Sequence, residues 1–342
     1  MAYTTINKPN TQMNTVLYTG NGGTQSITGV GFQPDWTWLK ARNEAASHEL
    51  FDANRGVTKT INSNTNNAEA TQTDSLTAFG SDGFTLGSNG DINYNNSTYV
   101  GWNWKAGGTA SSNTDGSITS SVSANTTSGF SVVTFTGTGS NATIGHGLGV
   151  KPDAVFFKRL DTTGGWASYH SVLGATKYMR LDTNSGEQTA SDEFQNTEPT
   201  SSVISIGTDG AVNGTSMVAY CFADVKGFSK FNSYVGNGST DGPFIFTGFK
   251  PAFVLIKKSN TSGTDWQLTD NKRDLHNVCT HRLLPNDSIA EQTDSLDLDI
   301  LSNGFKIRKS STTSNASGAT YIYLAFAENP LVGTNNVPAT AR

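Results

Sequence analysis

The sequence predicts an all-β protein of three tandem β-sandwich repeats of jelly-roll type, each of about 100 residues. Three observations carry that expectation. One block of residues recurs three times along the 342-residue chain. Gly, Ser, Thr and Asn are abundant, yet 10% of the residues are aromatic, enough for a packed core. Sustained helical periodicity and heptads are missing, and hydroxyl and amide side chains propagate helices poorly.

Each block opens on an aromatic-Gly turn: Tyr18-Thr19-Gly20-Asn21-Gly22, Phe135-Thr136-Gly137-Thr138-Gly139 and Tyr234-Val235-Gly236-Asn237-Gly238. A Gly-x-x-Pro step follows, at Gly31–Pro34, Gly149–Pro152 and Gly248–Pro251. From Tyr18 to Pro34, Phe135 to Pro152 and Tyr234 to Pro251 the separations are 16, 17 and 17 residues. Repetition of this kind replaces one long fold with several short units. The proline starts a strand, where its missing N–H breaks no ladder bond. The runs after it, Trp36–Leu39, Ala154–Phe157 and Phe253–Ile256, are almost continuously apolar, as in strands covered on both faces.

Later in each block comes a Trp or His step, at His48, Trp166 and Trp266, which lie 14, 14 and 15 residues after Pro34, Pro152 and Pro251. Hairpin signals stand at Asp82-Gly83 and Asn303-Gly304, dipeptides suited to tight primed turns. Ile204–Ile206 takes the corresponding place in block two without such a dipeptide. The closing strands align as Val100–Trp104, Val218–Phe222 and Ile322–Phe326, with large apolar residues at alternate positions and therefore on one face.

The expected organisation is an N-terminal arm (1–15), repeat one (16–108), a flexible Gly/Ser/Thr-rich linker (109–128), repeat two (129–228), repeat three (229–332) and a polar tail (333–342). Each repeat is expected to bury its aromatic strands in a core of its own. The short aromatic join Phe228–Phe231 suggests contact between repeats two and three.

A net charge of −5 disfavours nucleic acid, whose phosphates call for clustered Lys and Arg. The densest basic pairs, Lys257-Lys258 and Lys272-Arg273, read as surface charge. Cys221 and Cys279 provide neither a disulfide framework nor a metal motif. The N-terminus has no secretory signal pattern and no stretch nears the ~20 apolar residues of a membrane span. A soluble protein made in a cytoplasm, without membrane insertion, is expected.

The search for chemistry returns weak candidates. His276 and His281 flank Cys279, without the further ligands of a metal site. Gly145-His146-Gly147-Leu148-Gly149 leads to a strand rather than a helix N-terminus, so it reads as a turn and not a phosphate cradle. Asp192-Glu193 and Asp294-Ser295-Leu296-Asp297-Leu298-Asp299 could supply a glycosidase pair only if two carboxylates faced each other; the second run alternates like an exposed strand with an acidic face. Trp166 and Trp266 follow Gly-containing turns, where an aromatic can stack on a sugar ring or cap a core. Trp102 and Trp104 are expected in the core. No cofactor, catalytic residue or metal ligand is assigned, and the ligand-binding residues stay open.

Several segments resemble a family of β-rich virion proteins from tailed phages of marine bacteria, the cyanophage and pelagiphage type. They are Met1–Ile6 with Val16–Gly22, Tyr99–Gly107, Asp241–Phe244, Asp270–Arg273, Tyr321–Pro330 and Val337–Arg342. Members are called structural, tail-fibre-like or lectin-like. The resemblance implies a non-enzymatic virion structural protein, a tail fibre or host-contact appendage subunit that binds host-surface glycans. Capsid decoration is the alternative, with a polysaccharide depolymerase ranked below both. The implied partners are other virion proteins and further copies of the chain, a trimer by analogy with phage appendages. The implied location is the virion, after synthesis in the bacterial host.

Overall fold

The computed structural model describes residues 3–293, 296–333 and 338–340. The protein is all-β, 41% strand and 5% helix, and its sheets are antiparallel. Three large sheets, one per block, share a four-strand order. In block one, strand Met13–Thr19 pairs with Thr98–Trp104, which pairs with Trp36–Ala41 and then Glu49–Asp52. Block two repeats the order with Phe130–Phe135, Met217–Phe222, Ala154–Arg159 and Ala167–His170. Block three does so with Ser229–Val235, Thr320–Pro330, Phe249–Lys258 and Gln267–Asp270. A small sheet accompanies each: Gln25–Ile27 with Gly83–Leu86 and Leu76–Gly80, Ala142–Gly145 with Val203–Ile206, and Phe244–Phe246 with Gly304–Ile307 and Leu298–Leu301.

The post-proline and closing strands are buried along nearly their whole length in all three blocks. A strand buried on both faces needs two covering layers, and each block supplies only one small sheet. The second cover comes from the other blocks. One aromatic interior contains Trp36, Trp102 and Trp104 of block one, Phe130, Tyr220 and Phe222 of block two, and Phe231, Phe253 and Phe326 of block three. At its centre the equivalent strand residues Trp104, Phe222 and Phe326 meet one another, with ring centroids 6.4, 5.7 and 5.8 Å apart. Trp36 stacks on Tyr220 at 4.5 Å across the join of blocks one and two. The expected separate cores are thus corrected to a shared interior. Blocks one and two keep additional clusters beneath their small sheets, while in block three that layer (Ile245, Phe305, Ile307) is continuous with the shared interior.

The outlying segments also differ from expectation. Residues 109–128 are no flexible linker: strands Ser111–Asn113 and Ser120–Asn125 extend the block-two sheet by pairing onto Phe130–Phe135. Alternation is enough for this, since Val122 is buried while Ser121 faces out. The N-terminal segment is no free arm. Ile6 enters the shared interior, and the Tyr3 hydroxyl donates to the Gly248 carbonyl of block three at 2.8 Å. In the tail, Val332 bridges to Pro338; Val337 and Ala341-Arg342, like Met1-Ala2, lie outside the described residues.

Both expected hairpins form, but with Ser81-Asp82 and Ser302-Asn303 as the turn residues, so each glycine opens the next strand. The glycine is required by close approach: a Cβ on Gly83 or Gly304 would lie 2.0 Å from the carbonyl oxygen of Ile27 or Ile245.

Candidate functional site

The Trp/His step falls at the joins between blocks. Trp166 Nε1 donates to the Asn62 carbonyl of block one, and Trp266 Nε1 donates to the Arg180 carbonyl of block two. His48 Nε2 meets the Leu284 carbonyl of block three, and all three distances are 2.9 Å. Because Trp38 Nε1 donates to His48 Nδ1 at 2.8 Å, the His48 proton sits on Nε2. Burial holds His48 well below the usual histidine range, so the ring is neutral. The three bonds run from one to three, three to two and two to one, closing a ring of interfaces. Trp166 and Trp266 are at most 1% exposed, which corrects any reading of them as sugar-stacking residues.

Each block buries a lysine six residues after its proline: Lys40, Lys158 and Lys257. Lys40 Nζ donates to the Ala41 carbonyl, Lys158 Nζ to Gly164 and Lys257 Nζ to Thr264, each at 2.7 Å. Further bonds reach neighbouring blocks, from Lys158 to Asn66 and from Lys257 to Asn184, both 3.3 Å. Burial pushes all three down to about 8. Lys257 is therefore no surface charge, and neither is Arg273, whose side chain is fully buried. The six-residue spacing stands in the sequence but does not by itself signal burial, because lysine is among the residue types least expected inside a core.

Buried ion pairs complete two of the joins. Asp52 binds Arg55 (2.5 Å) and accepts from the Tyr220 hydroxyl of block two (2.7 Å). At the matching place Asp270 binds Arg273 (2.6 Å) and accepts from Trp102 Nε1 of block one (3.0 Å). Glu291 joins Arg273 to Arg42. Block two has His170 and Leu173 there instead; burial lowers His170 to about 4, and its Nε2 faces the Tyr323 carbonyl at 3.4 Å.

Two polar grooves, of about 540 and 570 Å³, lie where blocks one and two meet. The first is lined by Asn54, Arg55 and Glu69 with Ser121, Thr134 and Ser216. The second includes Asp35, Lys105 and Asn125. Residues 119–121 wall the first and 124–127 the second, so the segment expected to be a linker shapes both grooves at this join.

The remaining sequence candidates are dispersed. His281 Nδ1 pairs with Asp274 Oδ1 at 2.6 Å, Cys279 is buried, and no group of three metal-ligating side chains occurs among the described residues. His146 is buried and its Nδ1 accepts from the Leu148 N–H, closing a bend with Gly147 and Gly149 at positive φ. Asp192 and Glu193 sit on the short helix Ser191–Phe194. Burial raises Glu193 to about 7, and Arg180 is its ionic neighbour at 3.4 Å. Asp299 belongs instead to the block-three small sheet and pairs with Arg308, while Asp297, just before that strand, pairs with Lys309. Asp294 and Ser295 lie outside the described residues.

The outer faces of the small sheets differ sharply. Ile27, Ile144 and Ile245 occupy equivalent buried positions opposite Phe84, Ile204 and Phe305. The flanking residues are the exposed Ser26 and Thr28 in block one, and in block two Thr143 and Gly145, which the segment around Asn113 and Ser117 covers. In block three they are Phe244 and Phe246, 46% and 56% exposed.

Neither a curated protein nor a solved structure is similar to this chain. Its match to a known family is extensive, covering residues 8–330. The chain belongs to the family described as a domain of unknown function, DUF7483.

Proposed function

We propose that the chain is a non-enzymatic structural protein of a phage particle, a tail-fibre or other host-contact subunit whose three blocks descend from one duplicated β-sandwich module of lectin-like kind. An extended string of separately folded modules is not the form this chain takes, so the proposal concerns a compact head. The observation that carries it is the contrast between inside and outside. The step bonds, the buried lysines and the central aromatics recur three times, whereas block three alone carries exposed phenylalanines where blocks one and two have small residues. That contrast suits a scaffold that holds its shape while presenting one specialised surface to another molecule. The sequence resemblance to virion proteins supports the same reading. Among the described carboxylates, Asp192 and Glu193 lie on a short helix of block two, and Asp297 and Asp299 at and beside the small sheet of block three, a separation that favours binding over bond cleavage.

Antibody labelling of intact particles tests the assignment. Label at the tail extremity is expected. Label over the whole capsid would replace host contact with decoration, and absence of the protein from purified particles would end the virion reading. Shortening of envelope polysaccharide by the purified protein would overturn the non-enzymatic part.

A further inference from the structure

We infer that the outer face of the block-three small sheet is a carbohydrate-binding platform, with the Phe244 and Phe246 rings as the stacking surface and the neighbouring charged row as the hydroxyl-binding edge. The inference rests on the host-contact reading and places the contact on particular residues. Phe244 and Phe246 lie two apart on an edge strand, so they share a face about 7 Å apart along it. No packing need explains them, because block one has the exposed Ser26 and Thr28 around the same buried isoleucine, and in block two the segment Asn113–Ser117 covers the small residues Thr143 and Gly145 there. Ring atoms of Phe244 rest against Gly304, and those of Phe246 against Gly248, where the Tyr3 hydroxyl also sits. Neither glycine has a side chain to cover the rings, which stay about half exposed.

Directly across from Phe244 is Lys306, and across from Lys306 is Asp299. Lys306 Nζ pairs at 2.8 Å with Asp241, whose side chain is 84% exposed, and Arg308 Nε stands 3.5 Å from Asp299. Two apolar rings are thus bordered by paired donors and acceptors that water already reaches. A pyranose has the matching chemistry: an apolar C–H face for the rings and an equatorial fringe of hydroxyls for the charges. The area argues against a protein occupant. Two half-exposed phenylalanines offer roughly 200 Å², well short of the ~800 Å² that each partner buries in a stable protein interface.

The test is binding of the full chain to an array of neutral hexose and uronic-acid oligosaccharides, with titration calorimetry on any hit. The double variant Phe244→Ser/Phe246→Thr takes the block-one residues, and Trp166→Phe serves as a control away from the platform. The wild type should bind at least one array sugar, the double variant should lose at least tenfold in affinity with an unchanged thermal midpoint, and the control should bind as the wild type does. No hit for the wild type, or equal binding by the double variant, would overturn the platform while leaving particle location to the labelling experiment. Self-association of the wild type that the double variant abolishes would also overturn it, in favour of a second copy as occupant.

Discussion

Blocks one and three solve the same packing problem differently from block two. In the outer blocks a buried Asp–Arg pair fills the end of the fourth strand, Asp52 with Arg55 and Asp270 with Arg273. Their turn tyrosines stack on closing-strand tyrosines, Tyr18 on Tyr99 and Tyr234 on Tyr321, both at 5.0 Å. Block two has His170 and Leu173 in place of the pair, and Phe135 beside Met217 in place of the stack. The backbone pairing is shared while the chemistry inside it changes. Geometry therefore sets what must be filled, and more than one combination of side chains fills it.

The largest expected effect comes from breaking one ion pair. Arg273→Leu strands the Asp270 carboxylate, which the guanidinium holds below the usual carboxylate range against the effect of burial. A loss of about 3–5 kcal/mol is expected in urea titration. Adding Asp270→His copies block two and should recover part of that loss; a double variant as unstable as the single one would show that the two solutions cannot be exchanged.

Next is the asparagine that holds each aromatic-Gly turn. Asn315 accepts from the Asn237 N–H (2.8 Å) and donates to the Ser239 carbonyl (2.7 Å). Asn93 and Asn213 bind their turns in the same manner. Asn315→Ala should cost about 2 kcal/mol, by leaving those groups unpaired, and the matching change at Asn213 should cost a similar amount. A large disparity in urea midpoints would mean that the blocks are not equivalent here.

A smaller change imports one block-two residue. Tyr234→Phe removes the hydroxyl that donates to Ser314 O at 2.7 Å, while the ring stays stacked. About 1 kcal/mol should be lost, and no loss would show that the hydroxyl is dispensable in block three as it is in block two.

The gentlest probe is pH, and it treats all three blocks alike. A lysine in the unfolded chain keeps its proton to about 10.5, whereas Lys40, Lys158 and Lys257 release theirs near 8 in the folded protein. Between those values the unfolded state binds more protons, so stability rises with pH. From pH 8 to 9 the urea midpoint should increase. Above 9 Cys221, which burial raises to about 12, acts in the opposite direction, and above 10 the buried tyrosines Tyr18, Tyr220 and Tyr234 join it. Lys158→Met should weaken the rise. An unchanged slope would mean that Lys158 stays charged inside.

Strand positions were legible because proline, glycine turns and alternating aromatics act locally. The shared interior was also written in the chain: Trp36–Leu39 and Phe253–Ile256 are apolar on both faces, and a two-layer module covers only one. The proline spacing suggested autonomous modules and obscured that point. Buried lysines and the Asp–Arg pairs stayed hidden because a charge enters a core only with partners that are distant in sequence. The linker reading failed for a related reason. Ser and Thr on strands Ser111–Asn113 and Ser120–Asn125 look like flexible composition until a neighbouring strand supplies the hydrogen bonds. In Phe244-Ile245-Phe246 the alternation alone does not say which residues face inward; the pairing of Ile245 with Phe305 decides it.

Ring closure of the interfaces has a topological corollary. Asn7–Asn10 and Ala327–Asn329 line one cleft of about 280 Å³, so the segment before the first strand and the end of the last strand meet beside the join of blocks one and three. The molecule is nearly a circle cut at one of three similar seams. Moving the cut to Gly107-Gly108 and splicing the old ends with a short Gly/Ser connector should yield a permuted chain with the native near-ultraviolet dichroism of its tryptophans. Loss of that signal would show that the order in which the blocks emerge, as well as their mutual fit, directs assembly.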